Sequence, residues 1–136
     1  MDKHTIASKI RSLANRVASS PFNMTEVELE LYHNLDKLHD ILLETKEETN
    51  KYFDDSNTER DPVLFQGLLD GFDEDVRKLP KSTEGFSNYM IQADQVIARI
   101  YDAVKMNDME AVTEAKADLD LLAGKIYAEH QKLRSR

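Results

Sequence analysis

MTEVELELYHNLDKLHDILLETKEETNKYF, residues 24–53, is the stretch whose reading decides the fold. Met24, Val27, Leu31, Leu35, Leu38, Leu42, Thr45, Thr49 and Tyr52 follow one another in steps of three and four, the spacing that keeps side chains on one side of an α-helix. The stripe predicts a long helix over 24–53 with a core-facing seam. Asn23 is positioned to cap its first turn, with Glu26 reaching back as in a capping box. Glu28, Glu30, Asp36, Lys37, Asp40, Glu44, Glu47, Glu48 and Lys51 fall on the remaining faces, which are suited to water or to a basic partner.

Outward from this helix the same pattern recurs. Asp61-Pro62 opens a second helix in the favoured order, a capping Asp before a Pro at the first helical position, and Pro80 stops it. Phe65, Leu68, Leu69, Phe72, Val76 and Leu79 form its stripe, and Asp70, Asp73, Glu74 and Asp75 crowd its other side. Ser82 or Thr83 caps a third helix with Phe86, Tyr89, Met90, Ala93, Val96, Ile97, Ile100 and Val104 inward. Asn107 with Glu110 reads as another capping box. It opens a last helix with Val112, Ala115, Leu119, Leu122, Ile126 and Leu133 inward. Residues 3–18 predict one more amphipathic helix, with Ile6, Ile10, Leu13 and Val17 on a narrow stripe and Lys3, Lys9, Arg11 and Arg16 around it. Such a helix can lie on an anionic membrane or nucleic acid, or dock by its apolar face on the acidic remainder of its own chain. The lack of an aromatic residue and the small number of cations favour the second. The fold expected is therefore all-α: a single domain, residues 1–136. In it an antiparallel four-helix bundle (24–53, 62–79, 83–106, 108–134) carries an extra N-terminal amphipathic helix within residues 1–20.

Composition narrows the chemistry. With no cysteine there is no disulfide, no thiolate nucleophile and no zinc finger, and 4 glycines leave no glycine-rich phosphate loop. No apolar run is long enough for a membrane span and no export signal is visible, so a cytoplasmic protein is expected. The net charge of −8 is uneven: residues 21–79 hold 16 acidic and 6 basic residues, whereas residues 1–20 hold 1 acidic and 4 basic. An acidic middle repels phosphate, so direct nucleic-acid binding is not expected, and it attracts a basic protein. Glu30-Leu31-Tyr32-His33 has the Glu-x-x-His spacing of carboxylate-bridged metal sites, but no facing second motif accompanies it. His33 and His39 are accordingly expected to be solvent-exposed, with no metal, and no convergent polar set points to an enzyme.

In the last third, Asp102, Ala103, Lys105, Val112, Glu114, Ala115, Ala117, Leu122, Ala128, His130, Gln131, Lys132 and Arg134 resemble the corresponding stretch of the four-helix cytochrome b562 family. The resemblance implies the bundle fold and, as an alternative function, a haem b electron carrier in which His130 is an axial ligand. The family's second ligand is a methionine. Glu28 stands at its position here, and Met24 is the methionine nearby. The principal expectation needs no cofactor: a binding protein that engages another protein with a basic surface. Its contact residues would be Asp70, Asp73, Glu74, Asp75, Glu44, Glu47 and Glu48. A regulator or inhibitor of a nucleic-acid-handling protein is one concrete version, and the oligomeric state is open.

Overall fold

The long seam of residues 24–53 forms the centre of a computed structural model that describes residues 24–135. Among these residues the chain forms four α-helices and no strand: α1 (Glu26–Tyr52), α2 (Pro62–Lys78), α3 (Glu84–Met106) and α4 (Met109–Arg134). The helix expected within residues 1–20 lies outside the described residues. α1 packs on the other three helices, and α3 packs on α2 and α4, so the molecule is an all-α helical bundle. Leu35, Leu38, Leu42, Phe65, Leu69, Phe86, Ile97, Ile100, Leu119 and Ile126 fill one continuous core, drawn from all four helices. The predicted seams supply nearly all of it because burial follows helical periodicity.

Two polar seam residues are buried at no hydrogen-bonding cost. Thr45 Oγ1 donates to the Ile41 carbonyl at 2.8 Å and Thr49 Oγ1 to the Thr45 carbonyl at 2.6 Å. Each hydroxyl is thus satisfied within α1. Asn34, which the stripe omits, is also buried. Its Nδ2 donates to Ser82 Oγ at 2.7 Å and ties α1 to the start of α3.

Other expectations are corrected at helix ends. The N-cap of α1 is Thr25, not Asn23: Glu28 N donates to Thr25 Oγ1 at 3.1 Å, and the Glu28 carboxylate accepts from Thr25 N at 3.2 Å. Val27 is 61 % exposed, and Leu29, at 8 %, is the buried residue of that turn. The two residues lie on nearly opposite sides of α1, about 200° apart at 3.6 residues per turn, and Leu29 is not part of the core that the four helices share. Leu68, predicted inward, is 42 % exposed, since Phe65, Leu69 and Val76 centre the buried side of α2 further round the helix.

Between α3 and α4 the expected Asn107–Glu110 capping box is absent. Asn107 instead closes α3 in the left-handed region (φ 53, ψ 42), a conformation that asparagine tolerates better than most residues. Asp108 opens α4, its carboxylate accepting from Ala111 N at 3.1 Å. Asp108→Ala should therefore lower the unfolding free energy by about 1 kcal/mol. Asn107→Gly should be close to neutral, because glycine meets no steric penalty at positive φ. Urea unfolding of the two variants checks both. Asp61 and Thr83 cap α2 and α3 as expected, accepting from Leu64 N at 3.1 Å and Phe86 N at 3.0 Å.

Candidate functional site

The seven carboxylates predicted to meet a partner lie on two helices that pack together, Glu44, Glu47 and Glu48 on α1 and Asp70, Asp73, Glu74 and Asp75 on α2. Glu44, Glu47, Asp70, Glu74 and Asp75 are exposed, while Glu48 and Asp73 are half-buried. They do not converge on one cleft. Several are partnered along their own helix: Lys51 Nζ lies 3.4 Å from Glu47 and 3.5 Å from Glu48, Arg77 lies 3.2 Å from Asp73, and Lys78 lies 3.2 Å from Glu74. The hydrogen bond that the Lys51 ammonium donates to Glu47, helped by the charge of Glu48, holds its pKa above the usual value. Asp70, Asp75 and Glu44 enter no ion pair among the described residues, so the uncompensated charge of this surface sits on them.

A second group of side chains joins α1 to α4. The His130 ring stacks on Tyr32, with centroids 3.9 Å apart and planes 20° apart, and His39 meets Tyr127 at 5.7 Å. The histidines at 33 and 39 are half-buried rather than solvent-exposed, because each lies against a neighbouring aromatic ring. The His130 side chain is only 12 % exposed. Its Nε2 has no hydrogen-bond partner, and the nearest carboxylate oxygen, Asp36 Oδ1, stands 4.0 Å away, too far for a hydrogen bond. Met24 is half-buried against the core at the start of α1. The sequence reading singled out His130 but missed Tyr32, which covers it. The only signal available was that Tyr32 lies one position beyond the seam residue Leu31.

Burial pushes the His130 imidazole below its usual 6.5. Asp36 and Asp40 on α1 pull it up, while His39 on α1 and Arg134 on α4 push it further down. A histidine depressed in the folded state stays neutral there while the unfolded chain takes up a proton. Stability is therefore full above 6.5 and falls as pH drops through 6.5 toward the folded value. His130→Gln should flatten that part of the profile. Urea midpoints measured from pH 8 down to about pH 5.5 would reveal it, above the range where most carboxylates titrate.

Between α2 and α3 a shallow groove of about 410 Å3 has an apolar floor of Val76, Met90 and Ile91 and is crossed at its edge by the Arg77–Asp94 pair. Lys81 and Ser87 complete its lining. Among the described residues no group of three or more His, Asp or Glu side chains is placed to hold a metal ion, and no helix is long and apolar enough to cross a membrane. Comparison of the chain with protein-family models, curated proteins and solved structures found no match.

Proposed function

We propose that this chain acts by binding a second macromolecule, a protein with a basic surface, through the carboxylates of α1 and α2. The observation that carries the reading is the surplus of 16 acidic over 6 basic residues in residues 21–79. Of the seven carboxylates singled out on α1 and α2, Glu44, Asp70 and Asp75 enter no ion pair among the described residues and are exposed, on faces left over after the core is built. Solubility alone asks for far less. A field of this sign steers a cationic partner toward the surface and suppresses contact with phosphate. A partner that normally grips nucleic acid is the concrete version. The protein is then a cytoplasmic regulator or inhibitor that occupies the partner's basic surface, with no catalytic step of its own.

The scaffold for this is an antiparallel four-helix bundle with an accessory N-terminal helix. Support comes from contacts that pair opposite helix ends: Tyr52 late in α1 with Phe65 early in α2, and Tyr32 early in α1 with His130 late in α4. The reading is tested by a pull-down from cell extract with the wild type and with Asp70, Asp73 and Asp75 changed to Asn and Glu74 to Gln. Proteins held by the wild type at low salt should be lost from the variant. Identical sets from both proteins, at low and high salt, would overturn it.

A second reading, the haem carrier implied by the resemblance to the cytochrome b562 family, is favoured by one observation. His130 Nε2 is buried and unpartnered, as a ligand atom must be before it meets a metal. His130 and Met24 are the residues that would hold the haem, and an axial pair of that kind supports electron transfer. Tyr32 and Asp36 would have to swing aside to admit it. Titration with haem should then give a Soret band that His130→Ala abolishes and Met24→Ala weakens. A spectrum that is only the sum of free haem and protein sinks this reading.

A further inference from the structure

We propose that two copies of this chain pair through the face formed by α1 and α4, with α1 of each copy lying on α4 of the other. Three contacts set the register of that face: Tyr32 on His130, His39 against Tyr127 at 5.7 Å, and Lys46 Nζ 2.7 Å from Asp120 Oδ1. Residue numbers rise along α1 as they fall along α4, so Leu43 stands level with Ala123 and Gly124. Leu43 is 45 % exposed and Tyr127 53 %, two large side chains that the described fold leaves at the surface. Beside them Gly124 has nothing within 4 Å of where a Cβ would stand. A glycine inside a helix weakens it, and no close contact among the described residues calls for one here. It leaves a gap that an apolar side chain from outside can fill.

Charge decides how a second copy sits. The Lys46–Asp120 pair is neutral as a unit. Otherwise α1 presents Asp36, Asp40 and Glu47 to this face against Lys51, whereas α4 presents Lys116 and Arg134. Laying α1 on α1 of the other copy sets carboxylates against carboxylates, and laying it on α4 sets them against cations. A two-fold axis parallel to the helices, running between α1 and α4, makes the second arrangement for both copies at once and leaves every level unchanged. Leu43 of each copy then enters the gap over Gly124 of the other. Glu47 comes to within one helical turn of Lys116, which is half-buried, has no ion pair among the described residues, and has a side chain long enough to close that distance.

From Asp36 to Lys51 the face is about 22 Å long, and two helices side by side are about 20 Å wide. It buries about 450 Å2 per copy, at the small end of specific interfaces, so the dimer exchanges with monomer. The proposal stands apart from the acidic-surface reading, because Asp70, Glu74 and Asp75 lie on α2.

Sedimentation velocity of the full chain reads the pairing at about 0.15 M salt, where a Debye length of about 8 Å screens the net charges of the two copies. The wild type should pass from monomer to dimer as concentration rises. Gly124→Gln puts a side chain into space that is open in the monomer, so α4 should fold at least as well while the dimer is lost. Glu47→Lys and Lys116→Glu should each weaken the homodimer by about tenfold, since two like-charge contacts replace two attractive ones. Mixed together, these two variants should pair about as well as the wild type, because each copy supplies the charge that the other lacks. The chain has no cysteine, so register is read by mixing Leu43→Cys copies with Gly124→Cys copies under oxidation: the mixed disulfide should form ahead of either like pair. A monomer at every concentration, a dimer indifferent to Gly124→Gln, charge variants that do not rescue each other, or a like pair of disulfides formed first would each overturn the proposal.

Discussion

Phe86→Ala should lower the unfolding free energy by about 3–5 kcal/mol, the loss expected when a large core side chain is deleted and the cavity only partly collapses. Phe86 is 1 % exposed, sits in the first turn of α3 just after its Thr83 cap, and belongs to the core that all four helices share. Typical total stabilities are only about 5–15 kcal/mol, so this one change removes a large share, with a fall in Tm of roughly 10–20 °C. Phe86→Leu keeps the site apolar and should cost much less. Leu64→Ala, at a residue 66 % exposed, should move stability by less than about 0.5 kcal/mol. Urea unfolding of the three variants gives the ranking. A Phe86→Ala protein as stable as Leu64→Ala would mean that the core is not where the burial pattern puts it.

The seams of the four helices were legible because periodicity is local: Leu35, Leu38 and Leu42 share one face whatever packs against it. Helix ends were legible only where one residue could act alone, as Asp61 does before Pro62. At the start of α1 both Asn23 and Thr25 have a Glu three residues on, and nothing local chooses between them. At the α3–α4 junction two neighbouring polar residues divide two jobs, Asn107 ending one helix and Asp108 starting the next.

Burial at the edges was less legible still. Val27 is exposed although it keeps the helical spacing of Leu31 and Leu35. The stacking of Tyr32 on His130 depends on which ends of α1 and α4 meet. No window of sequence around either residue carries that information. The acidic surface stands between these cases. Its charge is plain in the sequence, but which carboxylates lack an internal cation became clear only from the Lys51, Arg77 and Lys78 contacts.

The central claim is that uncompensated carboxylates on α1 and α2 steer a basic partner. The most direct test is the association rate of a protein retained in the pull-down, measured over a range of ionic strength for the wild type and for the variant neutralised at Asp70, Asp73, Glu74 and Asp75. Steering by this surface predicts a wild-type rate that falls by about tenfold or more between low and physiological salt, as the Debye length shrinks from about 30 Å to about 8 Å. The variant should associate slowly throughout, with a much shallower slope. Equal rates for the two proteins, indifferent to salt, would contradict the account.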